Sequence, residues 1–297
     1  MKRVDIKIGF RCNNRCSFCV QGEKRCSLPD KSFEDILGSL KEAFSQGVRE
    51  VVFTGGEPTL HPNILDLVSE AKKIGFLEIQ LQSNGRIFAY NDFCKKAISA
   101  GVSQFSPALH GSRASIHDGL TQAKGSCEQT LAGIKNLKNL NQKVLTNTVV
   151  TSKNYKDIPA LARLFVSLGV DHFQFAFVHI MGRAEENKGW LIPKKSEAIS
   201  YIKEGLDIGL EAGCDVFTEA IPFCLMGGYE NCIAEKRIPD TSIYDLDFNI
   251  SDYGSYRRET GKFKREECQS CRFNRVCEGP WKEYVDIFGW EEFKPCF

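Results

Sequence analysis

The chain of 297 residues carries 39 Lys and Arg against 38 Asp and Glu, a formal net charge of +1, which argues against general affinity for nucleic acid or acidic membrane surfaces. A hydrophobic fraction of 42% with 11% aromatics excludes a disordered chain. No apolar run is long enough to span a bilayer, and MKRVDIKIGF reads neither as a signal peptide nor as a span, so a cytoplasmic protein is expected.

VDIKIG (4–9) alternates apolar and charged residues and predicts a first strand. SFEDILGSLKEAFSQG then sets Phe33, Ile36, Leu37, Leu40, Ala43 and Phe44 on one helical stripe. Ser32 and Asp35 have capping-box spacing, and Gly47 sits just past the end. EVVFT (50–54) is a short apolar strand, as expected where both faces are buried.

The cycle repeats with a helix at 62–74 and strand 77–82, then a helix at 90–100 and strand 102–109. After a long loop come a helix at 126–139, strand 143–150, a helix at 156–168 and strand 172–178. Such alternation implies an α/β fold with a parallel sheet, because each parallel crossover needs a helix to cover a face. Six units suit a partial (β/α)6 TIM-type barrel with a C-terminal cysteine-rich extension. The core is expected over 1–185 and the extension over 186–297, with a helix at 194–212, a short strand near 214–220 and an irregular remainder from Ile221.

Thirteen cysteines, an odd and clustered number, favour metal ligation over disulfides in a reducing compartment. Cys26, Cys94 and Cys127 stand apart and read as small apolar side chains. Cys12-x3-Cys16-x2-Cys19 follows the first strand and has no fourth cysteine close by; the nearest histidine is His61. A structural zinc site closes with a fourth Cys or His. An iron–sulfur cluster on three cysteines leaves one iron open. After the second strand comes Thr54-Gly55-Gly56-Glu57-Pro58, whose glycines permit close backbone approach so that a ligand can rest against exposed amides, and whose Glu57 adds a negative charge. Alone, this segment is equally an ordinary strand-to-helix turn.

Cys-x3-Cys-x-aromatic-Cys, with Phe18 as the aromatic, followed by GGEP, resembles the radical S-adenosylmethionine (radical SAM) superfamily over the first 185 residues. The resemblance implies that Cys12, Cys16 and Cys19 hold a [4Fe-4S] cluster whose open iron is chelated by S-adenosylmethionine. It also implies that Gly55, Gly56 and Glu57 receive the methionine amino group and that Phe18 lies near the adenine. Ser83-Asn84-Gly85 is similar to the family's turn at the cofactor rim, and reads equally as a plain Asn-Gly turn. Where relatives have a serine on the fourth strand this chain has Ala108, and Ser106 on the same strand face is the substitute ribose contact. His110, His117 and Asp118 resemble a family segment but read as loop packing.

The tail holds Cys268-x2-Cys271-x5-Cys277 and, further on, Cys296. It resembles the auxiliary-cluster region of the SPASM and twitch subgroup, with Trp281 where relatives with two auxiliary clusters have another cysteine. One auxiliary [4Fe-4S] cluster is therefore expected, on Cys268, Cys271, Cys277 and a fourth ligand. Cys224 is favoured for that place, with Cys296 the alternative and Cys232 the third candidate. The implied activity is reductive cleavage of S-adenosylmethionine to a 5′-deoxyadenosyl radical that takes hydrogen from a peptide or small metabolite, with an electron donor such as ferredoxin or flavodoxin. Two rival classes are a non-catalytic iron–sulfur electron carrier and a zinc-stapled binding protein. Arg183, Tyr229, Tyr253 and Tyr256 are cavity candidates that read equally as surface or packing residues.

Overall fold

The computed structural model describes residues 2–297; the side chain of Cys26, and with it the apolar reading of that residue, lies outside what it describes. The first half runs β1 (Arg3–Lys7), α1 (Lys24–Ser27), α2 (Phe33–Ser45), β2 (Glu50–Thr54), α3 (Ile64–Ile74), β3 (Glu78–Ser83), α4 (Asn91–Ala100) and β4 (Gln104–Pro107). It continues with α5 (Ala114–Thr121), α6 (Ser126–Asn139), β5 (Leu145–Val150), α7 (Ile158–Ser167) and β6 (His172–Phe177). Short helices α8 (Arg183–Glu186) and α9 (Lys188–Leu191) lead to α10 (Lys195–Glu211) and β7 (Asp215–Glu219). The tail holds β8 (Thr241–Tyr244), β9 (Asn249–Ile250), α11 (Tyr253–Tyr256) and α12 (Lys282–Phe288).

Local chemistry sets these bounds. The Asp35 amide donates to Ser32 Oγ at 3.1 Å, and Ser32 Oγ donates to the Asp35 carboxylate at 2.6 Å, so the cap expected of α2 is formed. A cap of this kind contributes about 1 kcal/mol. Beyond α2, Gly47 takes the left-handed conformation (φ 84°), and the Val48 amide returns to the Ala43 carbonyl.

Strands β4-β3-β2-β1-β8-β9 form one sheet and β5-β6-β7 another, and the parallel bridges Phe105–Val144 and Ala108–Asn147 join them at β4 and β5. All pairs are parallel except β8 with β9. The six core strands stand in sequence order, the arrangement of a partial barrel, with β7 added beside β6 and β8 beside β1. The apolar core lies between this sheet and its helices: Val4 and Ile6 of β1, Phe53 of β2, Leu81 of β3 and Phe173 and Phe175 of β6 are buried there. The alternate residues turn inward, and those are mostly polar.

Two parts of the fold depart from the sequence reading. The long loop after β4 contains α5, which buries His117 and Thr121 along with Leu120, so its inward face shows no apolar period. The tail after Ile221 is not wholly irregular, because β8 pairs with β1 through Arg3–Thr241 to Ile6–Tyr244. A four-residue strand is too short to show a period of two, and its partner lies at the far end of the sequence.

Candidate functional site

Cys12, Cys16 and Cys19 are all half-buried on the loop after β1. Burial, then the neighbouring Cys12 and Cys19 thiols, push the Cys16 thiol far up; burial also raises Cys12. Sulfurs this close and this dry hold their protons unless a metal displaces them. Cys12 Sγ accepts the Asn14 amide at 3.4 Å, and the Asn84 side-chain nitrogen lies 3.9 Å away.

The Gly55–Glu57 turn docks onto the same loop. The Gly56 amide donates to the Gly9 carbonyl and the Glu57 amide to the Arg11 carbonyl, each at 2.8 Å. Gly55 has φ 126°, and a Cβ there would strike the Gly9 carbonyl; one on Gly56 would strike the carbonyls of Phe10 and Arg11. The glycines therefore serve the approach of two protein loops. The Gly56 and Glu57 amides are spent on that contact, which differs from the expectation of amides exposed to a ligand.

Glu57 is buried, and its carboxylate is already well supplied with donors. Oε1 accepts from the Thr59 hydroxyl (2.6 Å), the Ser83 hydroxyl (2.9 Å) and the Thr59 amide (3.1 Å), while Oε2 accepts the Asn84 amide (2.7 Å). Burial pushes its pKa up against the opposing pull of these donors. Asn84 extends the chain of contacts, donating to Asn13 Oδ1 at 2.6 Å. Gly55, Gly56, Glu57, Ser83 and Asn84 thus converge on the cysteine loop. Phe18 is buried edge-on against His110, with ring centroids 4.6 Å apart. Ser106 is not part of this group: it pairs in register with Gln82, so it lies on the opposite sheet face from Ser83 and lines the barrel interior.

His110 and His117 stack, and both are held neutral by burial, His117 with its pKa lowered to about 4. Asp118 accepts from the Gly125 and Cys127 amides and the Ser126 hydroxyl at the start of α6. All three act in packing the loop after β4. Cys94 and Cys127 are buried in the core.

In the tail, Cys224, Cys268, Cys271 and Cys277 line one cavity with Phe223, Pro280 and Trp290. Cys296 sits at its edge, its amide donating to Cys271 Sγ at 3.4 Å, and the Gly279 amide donates likewise to Cys277 Sγ. Burial, then Cys277 and Cys296, push Cys224 up to about 12. Cys232 stands apart, buried near Asp207 and Arg237. Among the described residues no three His, Cys, Asp or Glu side chains are placed to share one metal ion. A polynuclear cluster distributes its thiolates over different irons and tunes them through N–H···S bonds, and both cysteine groups fit it in donor set and in such bonds. A single zinc would need four ligands within about 2.3 Å of one point.

Several residues around these sites escaped the sequence reading, although Arg183 and Trp281 were among those it named. Arg11, Arg15, Arg25 and Arg183 line the opening beside Cys12, offsetting the negative charge that three thiolates bring. Arg25 donates to the Cys12 carbonyl at 3.0 Å; Arg183 donates to the carbonyls of Arg15 and Cys16 and, at 3.1 Å, to Gln122. The interleaving of Arg11 and Arg15 with the cysteines was a visible signal. Arg257, Glu278, Lys262 and Glu235 form a buried ion-pair chain with contacts of 2.7–3.0 Å. Trp281 stacks on His179 at 4.0 Å between centroids, tying the tail to the end of β6. Of the tyrosines, Tyr253 lines the barrel interior and Tyr229 donates to Asp207 at 2.8 Å.

Residues 6–165 match the Radical SAM superfamily. The AdoMet-dependent heme synthase of Methanosarcina barkeri is 28% identical over 178 residues, 59% of this chain and 50% of that protein. The tungsten-containing aldehyde ferredoxin oxidoreductase cofactor-modifying protein of Pyrococcus furiosus is 30% identical over 182 residues, 58% of this chain and 50% of that protein. The chain spans about half the length of the curated relatives it matches. Streptococcus suis SuiB, solved bound to its precursor peptide SuiA, superposes with a TM-score of 0.71 at 16% identity. That superposition covers 96% of this chain and 72% of SuiB, so the likeness of fold takes in the tail as well as the barrel. With the cysteine loop and the glycine turn docked together at the carboxyl edge of the barrel, and the matched family spanning both, this chain belongs to the radical SAM superfamily.

Proposed function

We propose that the chain is an enzyme that cleaves S-adenosylmethionine reductively and uses the resulting radical to take hydrogen from a peptide or small metabolite. The observation that carries the reading is the pair of 2.8 Å backbone hydrogen bonds from Gly56 and Glu57 to the cysteine loop, which brings two motifs of independent chemistry to one place. Cys12, Cys16 and Cys19 would hold a [4Fe-4S] cluster. Cys224, Cys268, Cys271 and Cys277 would hold the auxiliary one, with Cys296 as alternative fourth ligand. Held there, the first cluster would supply the single electron that reductive cleavage of S-adenosylmethionine requires.

The chain's own residues supply placement. Glu57 and Asn84 hold the rim turns against the cysteine loop, and the arginines around Cys12 balance its charge. Buried Phe18 and His110 keep water from the inner wall. We assign residues 1–185 to cofactor chemistry and 186–297 to the extension that carries the auxiliary cluster, a division of chemical roles. The names of the relatives and the precursor peptide bound by SuiB support a substrate that is a peptide or a metabolite. An electron donor such as ferredoxin or flavodoxin and a cytoplasmic location belong to the same reading; among the described residues no helix is long and apolar enough to cross a membrane.

The test is anaerobic reconstitution followed by dithionite reduction with S-adenosylmethionine. Loading of about eight irons, for two four-iron clusters, and release of 5′-deoxyadenosine are expected. Reconstituted protein that never cleaves the cofactor overturns the proposal.

A further inference from the structure

The opening beside Cys12 has a volume of about 640 Å³, and its walls carry Arg11, Arg15, Arg25 and Arg183 but no carboxylate. Arg86 stands beside it, donating to the Asn13 carbonyl at 2.7 Å and to Asn14 Oδ1 at 3.1 Å. Among the described residues only Arg11 of these five meets a carboxylate, Asp30 at 2.6 Å. Arg25 and Arg183 donate to carbonyl and carboxamide oxygens, which leaves their charge uncancelled. Balancing the thiolates accounts for Arg25, which is bonded to the Cys12 carbonyl. It does not account for Arg11, whose side chain is 58% exposed, or for exposed Arg15, which has no side-chain partner among the described residues. In a chain whose charges sum to +1, this is a local excess of positive charge facing solvent.

Exposed apolar side chains accompany the arginines. Leu60 lines the same opening and is 39% exposed, and its carbonyl accepts from Arg11 at 3.3 Å. Val20 and Met181, 44% and 43% exposed, flank the turn at Gly182, where the Arg183 amide donates to the Cys19 carbonyl at 2.9 Å. Arginine, methionine and aliphatic groups together at the surface are the composition of a recognition face. A small anion would engage the guanidinium groups and leave Leu60, Val20 and Met181 in water, whereas a protein covers both. Cys12 itself lines the opening, so a partner seated there lies against a residue of the first cluster site.

We propose that this face docks an acidic one-electron carrier protein, with Arg11 and Arg15 meeting its carboxylates and Leu60, Val20 and Met181 its apolar contacts. The inference rests on the radical SAM reading and assigns the surface through which that chemistry is supplied with electrons. In the docked complex one electron leaves the carrier for the cluster held by Cys12, Cys16 and Cys19, and no bond forms or breaks. Electron-transfer interfaces are small, and attraction between opposite charges speeds their encounter and is screened by salt.

The experiment measures binding of oxidised flavodoxin and, separately, oxidised ferredoxin to reconstituted holoprotein by calorimetry. The tighter carrier should lose about ten-fold or more in affinity between about 50 and about 300 mM salt. Arg15→Glu and, separately, Val20→Glu should each weaken it about ten-fold or more, while Arg163→Glu on α7, 59% exposed and remote from the cysteine loop, stays within about two-fold. Release of 5′-deoxyadenosine driven by the reduced carrier, divided by that driven by dithionite on the same preparation, should fall in parallel. Binding by neither carrier, or equal affinities for Arg15→Glu, Val20→Glu and Arg163→Glu, overturns the inference. If dithionite still drives cleavage when docking fails, the inference alone falls; if no reductant releases 5′-deoxyadenosine, the underlying reading falls with it.

Discussion

The backbone amide of Asn84 donates to Oε2 of Glu57 at 2.7 Å, so the carboxylate after the paired glycines is the tie between the turn following β2 and the turn following β3. Through Asn84 the tie reaches Asn13 and the neighbourhood of Cys12. One buried side chain thereby fixes the relative height of three loops at the barrel rim.

Glu57→Ala removes the acceptor for the Thr59 and Asn84 amides and the Thr59 and Ser83 hydroxyls. Stranding buried donors costs about 1–3 kcal/mol each when water cannot replace the partner. The cofactor-free variant should unfold several degrees below the parent in a thermal melt. An unchanged melting temperature would show that Glu57 acts on the bound cofactor alone.

Cys224→Ser should lower the iron content from about eight to about four per chain, as expected if one of two four-iron sites is lost. Cys296→Ser should retain both clusters, because Cys224 lines the tail cavity and Cys296 lies at its edge. Iron and acid-labile sulfide assays with electron paramagnetic resonance distinguish the two. The opposite pattern would assign the fourth ligand to Cys296.

His117 contributes a pH-dependent stability. Burial lowers its pKa to about 4, opposed weakly by Asp118, whereas an unfolded histidine titrates near 6.5. As pH falls through this window the unfolded chain binds a proton that the folded chain refuses. Stability is complete above about pH 6.5 and is lost toward pH 4, by up to about 3 kcal/mol. The difference in melting temperature between parent and His117→Asn should shrink or reverse over that interval. A constant difference would contradict the assignment.

Arg257 donates two hydrogen bonds to the Glu278 carboxylate, at 3.0 and 2.9 Å, and both side chains are buried. Arg257→Met leaves a charge there with Lys262 as its remaining partner. Removing one member of a buried pair costs about 3–5 kcal/mol. Denaturant unfolding should show a loss of that order, and a change within 0.5 kcal/mol, the range of ordinary surface substitutions, would place the pair outside the fold's stabilising contacts.

Periodicity made the barrel legible because β1–β6 and their helices each bury a repeating face, as the match of the expected 126–139 helix with α6 illustrates. The cysteine loop and GGEP were legible because their spacing encodes chemistry. Helix α5 was not, since its buried face includes His117 and Thr121 and shows no apolar stripe. The inward face of the sheet was legible only as polar alternation: nothing local says that Asp5, Glu78 and Glu219, from three distant strands, share one cavity. Strand parity placed Ser106 on the same face as Ala108, and the fold turns that face toward the lumen.

The pairing of β8 with β1 also governs when the barrel edge is completed. Residues 3–6 cannot acquire that neighbour until residues 241–244 have been synthesised, so during translation the strand leading into Cys12 waits with one edge bare. Contacts this distant in sequence form slowly and leave an unpaired edge exposed in the meantime. A cysteine loop that follows such a strand stands on an unfinished scaffold until residues 241–244 have emerged and closed that edge.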